Sequence, residues 1–287
     1  MKMLCFNAGL RQFIGAVVLF FCCMDPSFGQ PLLYSVQQRL AMASSLRSEG
    51  VHPFSMAINP ADLASCNSIG WGLGGEQRFL VPGWMEVAAA GVLPIREGAW
   101  GICVGQEGLP FSFDQLLMVT HAKKILEHVA LGATIGVNRK KAAGRSASWI
   151  PVAALGVSVP LSTELKVAIS YMRFSSSAFK AQGSGAPSYL RCLLGYEPTE
   201  KVNLVAAISK ESSWPAAGFF SVQYRPDKKI GFSAGYSGFP TMCWIGFRLG
   251  VGASAVVQLY SGFYPLTGLS NGMSLFKSTD LKKDNGP

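Results

Sequence analysis

Residues able to do chemistry are sparse in this chain and poorly spaced for it. The three histidines, His52, His121 and His128, are scattered, and no metal-ligating constellation can be read from them. Gly70-Trp71-Gly72-Leu73-Gly74-Gly75 has the G-x-G-x-x-G spacing of a dinucleotide loop through Gly70, Gly72 and Gly75. Such a loop must open a helix whose N-terminus meets the pyrophosphate, and the Glu76–Gly83 run that follows has no helical pattern. There is no G-x-S-x-G elbow, and neither His121 nor His128 has a recognisable serine and orienting partner. The expectation is a protein that is not an enzyme, carries no cofactor and binds no nucleic acid.

Composition points elsewhere. Charged residues make up 14% of the 287, against about 25% in soluble domains. Hydrophobic residues reach 49% and there are 32 glycines, so the chain is too apolar to be disordered. No run of 18 or more strongly apolar residues marks a spanning helix. Apolar residues dispersed along a weakly charged chain imply membrane strands.

The first 29 residues read as a cleavable signal peptide. Lys2 and Arg11 form the basic region, Phe13–Met24 the apolar one, and Ser27 and Gly29 precede cleavage before Gln30. A lipoprotein signal ending at Cys22 is disfavoured by the bulky Phe21 beside it. Export removes Cys5, Cys22 and Cys23 and leaves Cys66, Cys103, Cys192 and Cys243. Their spacings are long, and small apolar side chains are preferred to disulfides as the reading, with pairing left open.

From Ile69 to Phe276 one unit repeats: about ten residues alternating apolar with small or polar, then a turn. Val129, Leu131, Ala133, Ile135 and Val137 fall on one face, and Ala130, Gly132, Thr134, Gly136 and Asn138 on the other. Residues 201–210, 230–237 and 242–252 repeat the pattern, a period of two that belongs to strands. Short polar turns such as Leu161–Glu164 alternate with longer connections at 138–148 and 175–188, as hairpins facing opposite compartments require. The count reaches about fourteen strands, with doubtful ones near Phe79 and Phe276. The fold expected is all-β: an antiparallel up-and-down transmembrane barrel in the outer membrane. A soluble sandwich would need charges on its second face, which here is mostly Gly, Ala, Ser and Thr. A helix across the uncharged 249–276 stretch is opposed by its glycines and Pro265.

Ionised residues on the lipid face cost roughly 2–4 kcal/mol at the bilayer midplane. Lys166, Arg191 and Arg248, which fall on inward positions, should therefore line the lumen and pair with its contents, Asp62 among them, or attract an anionic solute. The cations at strand ends, including Arg139, Lys140 and Lys141, are expected to reach phosphate head groups. Trp149, Tyr171, Tyr196, Tyr224, Tyr236 and Tyr264 are placed in the interfacial girdles.

Residues 30–68 do not alternate. Val36–Leu46 predicts a short helix, and Pro60 drives Asn59 out of the α region while suiting the first turn of a helix itself. The small inward residues Gly132, Gly136, Gly231, Gly235 and Gly246 leave room for this segment in a barrel. The phrase Asn59-Pro60-Ala61-Asp62-Leu63-Ala64, behind a signal and before fourteen strand units, resembles the opening of exported barrels of the FadL type. The PorV and PorQ proteins of type IX secretion share it. The resemblance implies a Gram-negative outer-membrane protein in which residues 30–68 form a hatch inside the barrel of residues 69–276, with Asn59, Pro60, Ala61 and Asp62 in the hatch. It implies one of two functions: passage of hydrophobic or amphipathic small molecules, or a non-transporting subunit of a secretion or surface-attachment machine. Partners would be outer-membrane lipids and either a hydrophobic ligand or a larger secretion-system protein. The loops are short for a fatty-acid capture site, which favours the second. Transport is so common among barrels, however, that the first is the reading adopted, with the subunit as its alternative. Residues 277–287 read as a disordered polar tail.

Overall fold

The computed structural model describes residues 36–46, 52–126, 128–144, 146–175, 187–212, 214–227, 229–252 and 255–277. Residues 1–29, expected to be a signal, the last ten residues and parts of 30–68 lie outside these. Fourteen strands form one closed barrel in which each pairs antiparallel with its sequence neighbours, and β14 closes on β1. The strands are β1 (Gly70–Gln77), β2 (Met85–Ile95), β3 (Gly98–Leu109), β4 (Ser112–Leu126), β5 (Val129–Lys141), β6 (Ser148–Pro160) and β7 (Leu165–Phe174). They continue as β8 (Ser188–Thr199), β9 (Val202–Glu211), β10 (Ala217–Tyr224), β11 (Ile230–Gly238), β12 (Thr241–Val251), β13 (Ala255–Tyr264) and β14 (Gly268–Lys277).

The period-two pattern sorts the two faces. On β5 Leu131, Ala133 and Ile135 are exposed, while Gly132, Thr134 and Asn138 are buried. Ile102, Leu155, Ile245 and Met273 continue the exposed aliphatic belt around the wall. So large an apolar outer surface is stable only against hydrocarbon, which makes this a transmembrane barrel. Connections at the end where β1 begins, the proximal end, are tight at 96–97, 161–164 and 200–201; the distal end carries the longer ones at 142–147 and 175–187.

The doubtful strand near Phe79 is instead a 3-10 turn, Arg78–Leu80, at the distal end, while the segment ending at Phe276 is β14. Residues 255–277 form two strands, not a helix. The G-x-G-x-x-G run lies wholly within β1. Tyr264 departs from its predicted girdle position. Its parity on β13 matches inward Val256, Gln258 and Tyr260, so its ring is fully buried in the lumen.

Ahead of the barrel, helix α1 (Val36–Ser45) and two 3-10 turns, Pro53–Ala57 and Pro60–Ser65, pack against the inner wall. Asn59 is extended, and its side-chain oxygen accepts from the Ala61 N–H, capping the second turn with Pro60 at its start. Leu40, Met42, Leu46, Phe54, Met56, Ile58 and Leu63 join inward-facing Met118, Leu193, Val205 and Trp244 in one apolar cluster.

Glycines set how closely the segment approaches. A Cβ on Gly132 would stand 2.3 Å from the Pro60 carbonyl carbon, and one on Gly156 2.0 Å from Asn59 Oδ1. Gly246 touches Leu40 across the lumen. The other three expected gaps serve the wall itself: Gly136 faces Met118, Gly231 faces Arg225 and Arg248, and Gly235 takes the Trp244 ring. Gly72, Gly101, Gly156 and Gly195, which meet Phe54, Leu63, Asn59 and Leu46, are positions the sequence reading overlooked.

Gly156→Val should therefore push residues 59–61 off the wall without breaking the strand ladder. Limited proteolysis of the detergent-solubilised protein should cut residues 52–66 faster in this variant, with far-UV circular dichroism unchanged.

Candidate functional site

The inner wall and the segment against it form the site. Lys166 stands near the proximal end of β7 with Nζ 4.0 Å from Asp62 Oδ1, the pairing anticipated from sequence. Asp62 is fully buried and also accepts from Asn59 Nδ2 at 3.2 Å. Arg191 on β8 donates from Nη1 to the Ala57 carbonyl at 3.2 Å. Arg248 on β12 is half-buried, its guanidinium 5.7 Å from the Phe276 ring centroid. The structure thus places Lys166 and Arg191 against the segment and Arg248 against the neighbouring wall.

Sequence reading missed the remaining polar contacts. Ser170 Oγ donates to the Ile58 carbonyl at 2.7 Å, and Asn203 Nδ2 to the Ala43 carbonyl at 2.9 Å. Gln223 Nε2 donates to Ser44 Oγ at 3.0 Å, and Arg39 Nη2 to the Phe239 carbonyl at 3.1 Å. Each involves a residue unremarkable in sequence, visible only once a strand and the segment are brought together. Asn59 Nδ2 also donates to the Val157 carbonyl on β6 at 3.4 Å, so these contacts are spread over β6–β10 and the β11–β12 turn.

A second feature crosses the distal mouth. Arg78 turns inward and donates to Glu107 Oε1 from Nη2 at 2.6 Å and from Nε at 3.0 Å. Its Nη1 donates to Tyr264 Oη at 3.2 Å, and Glu76 and Glu86 lie 3.9 and 3.8 Å away. The turn that aims it is strained: Phe79 and Leu80 both have φ +53°, costing roughly 1–2 kcal/mol each. The Phe79 N–H donates to Ser270 Oγ, and its ring meets Trp84 and Tyr264 edge-on. These contacts hold the connection folded over the mouth.

Two lumenal spaces flank the segment. One of about 190 Å³ at the proximal end is lined by Leu46, Ala61, Ser65, His128 and Lys166. A smaller one of about 70 Å³ on the distal side is lined by Phe54, Glu86, Cys103, Glu107 and Asp114. The histidines occupy separate surfaces: His52 in the lumen, His121 beside Trp100 on the wall, and His128 at a proximal turn. Cys66, Cys103, Cys192 and Cys243 are all free, the first two buried and the last two exposed on the outer face.

His52, which lies outside the strands, caps the first 3-10 turn by accepting from the Phe54 N–H through Nδ1, and its ring lies 4.4 Å from that of Phe276. Burial, then the charges of Arg248 and Arg225, lower its pKa to about 3. It is therefore neutral while the segment is seated.

The sequence matches no protein-family profile and no curated protein. Solved structures do resemble the fold. The toluene transporter TbuX of Ralstonia pickettii superposes with a TM-score of 0.57 over 88% of this chain and 98% of its own, at 11% identity. A Pseudomonas aeruginosa FadL homologue gives 0.57 over 85% and 96%, at 10% identity. The toluene transporter TodX of Pseudomonas putida gives 0.54 over 87% and 97%, also at 10%. The fold expected from the opening phrase and the strand count is the one these barrels share.

Two measurements follow from the geometry. Arg78→Met leaves Glu76, Glu86 and Glu107 facing one another and should destabilise the barrel by about 3–5 kcal/mol, read as an earlier loss of the folded band when samples are heated before electrophoresis. The second concerns pH. A released His52 regains an ordinary pKa near 6.5, so between 6.5 and about 3 only the released state takes up a proton. Stability of the seated segment is complete above that window and falls as pH drops through it. Proteolysis of residues 52–66 by a protease active in acid should speed up from pH 7 to pH 4.5, and His52→Gln should flatten the dependence.

Proposed function

We propose that this protein is an outer-membrane conduit for hydrophobic or amphipathic small molecules, exported by the cleavable signal of residues 1–29. Residues 30–68 serve as its hatch. The observation that carries this reading is the way the lumen is filled. Its occupant is a separate N-terminal segment that contributes no strand to the barrel and is held by single polar contacts over a wall of small residues. Such a segment can shift while every interstrand hydrogen bond stays in place. Lys166 and Arg191 hold the hatch, through Asp62 and the Ala57 carbonyl, and Arg248 shapes the wall beside it. Asn59, Pro60 and Ala61 fix the bend that seats against Gly132 and Gly156. Likeness in fold to barrels described as toluene transporters supports a hydrophobic cargo.

The second reading, a non-transporting subunit of a secretion machine, draws on the same packing. Leu40, Met56, Leu63 and their neighbours leave spaces of only about 190 and 70 Å³ beside the segment, below the usual 300–1,000 Å³ of a ligand pocket.

Proteoliposomes loaded with an albumin sink separate the two. The wild-type protein should speed entry of a fluorescent fatty acid over empty vesicles. Asp62→Asn, by removing about 1 kcal/mol of hatch attachment, should raise that rate roughly fivefold. A rate equal to that of empty vesicles for both proteins, with a larger protein co-purifying stoichiometrically from outer membranes, would establish the subunit reading instead.

A further inference from the structure

On the outer face of the barrel one polar row crosses four neighbouring strands. Register places Gln106 opposite Gln115, Gln115 opposite Arg139 and Arg139 opposite Trp149, so the row runs unbroken across β3, β4, β5 and β6. All four share the parity of outward-facing neighbours such as Val104, Leu117 and Ile135, and lie toward the distal end. Gln115 Nε2 donates to Gln106 Oε1 at 2.8 Å, and Arg139 Nη1 to Gln115 Oε1 at 3.1 Å. The Arg139 guanidinium lies 5.7 Å from the Phe113 ring centroid and 5.6 Å from that of Trp149. Lys141, two residues on and on the same face, has Nζ 5.8 Å from the Phe113 ring.

Two features of this row remain unanswered within the protein. Among the described residues neither Arg139 nor Lys141 has a carboxylate partner, and Arg139 Nε is buried without a hydrogen bond. Lys140, which lies between them in sequence, points inward to Asp114. Beneath the polar row, on its midplane side, is a groove of about 630 Å³ along the outer wall. Its apolar lining is Leu73, Val87, Ala89, Val104, Leu117 and Val137. Same-face residues two apart on a strand stand about 6.5–7 Å apart, a span that one phosphate group between two cations can bridge.

We propose that this face binds one phosphate-bearing acyl lipid of the surrounding leaflet. Its phosphate sits between Arg139 and Lys141, where charge-assisted hydrogen bonds from the guanidinium are available. Gln106 and Gln115 meet the polar linkage below the phosphate, and an acyl chain lies in the groove, where Ala89 leaves room among larger side chains. The aromatic rings of Phe113 and Trp149 hold the cation side chains over the site. The site stands apart from the lumen and is independent of whether the barrel conducts.

The test is native mass spectrometry of the detergent-purified protein after incubation with phosphatidylglycerol or with diacylglycerol of the same chains. The wild-type protein should retain one phosphatidylglycerol and no diacylglycerol. The double variant Arg139→Gln/Lys141→Gln should retain at least tenfold less. Ala89→Phe, which fills the groove and leaves both cations, should lose the lipid as well. Heat-modified mobility on gels checks that each variant is a closed barrel, and these outward substitutions touch nothing in the lumen. Equal retention by wild type and double variant, equal retention of diacylglycerol, or displacement by millimolar inorganic phosphate alone would overturn the proposal, the last by making the site one for free anions.

Discussion

A fourteen-stranded barrel is wider than its own inward side chains can fill. Eight strands enclose a space that side chains close, whereas sixteen to eighteen leave an open channel. Everything inside this molecule answers that excess of room. The wall supplies small residues where the segment presses closest, at Gly132 and Gly156, and large ones such as Trp244 and Tyr264 where it does not. The apolar cluster that would be a core in a soluble protein is here a joint between two parts of the chain with different roles.

That joint is mostly dry contact, with polar groups spread thinly across it. Three buried backbone carbonyls of the segment find donors on the wall: Ala43 from Asn203, Ala57 from Arg191, Ile58 from Ser170. Leaving any of these carbonyls unmet would cost about 1–3 kcal/mol. Yet the protein–protein bond itself contributes only about 1 kcal/mol over a bond to water. Contacts of this kind fix position strongly while the lumen is dry and weakly once water enters, which suits a part that is to be both well placed and removable.

Much of this was legible in sequence because it follows from local pattern. Alternation on β5 or β12 needs only neighbouring residues to be read, and a helix at 36–46 and a turn at Asn59-Pro60 are written in a few side chains. Lys166, Arg191 and Arg248 could be set against the segment, with Asp62 as one partner, because a cation on an inward face has few options. Which of them meets Asp62 is decided by the fold. The Arg78 group could not be found this way. It needs Glu76, Glu86 and Glu107 from three strands and Tyr264 from a fourth, which reaches them only because β14 closes on β1. Tyr264 was misplaced because nearness to a strand end was read without its parity. Gly136, Gly231 and Gly235 were misassigned for a related reason: sequence shows that a position is small and not which neighbour fills it.

The seam between first and last strands gathers these relations. Gly72 lies opposite Phe276, Phe54 rests on Gly72, and His52 stacks near Phe276. The pairing joins residues some two hundred positions apart, so the ring can be completed only after the whole chain has been made. The segment leads straight into β1, so it reaches the lumen through the proximal mouth or while the ring is still open. Closing the seam also completes the surface on which Phe54 and His52 rest, because Gly72 comes from the first strand and Phe276 from the last. On this side, the seat for the start of the fold exists only once its end has paired.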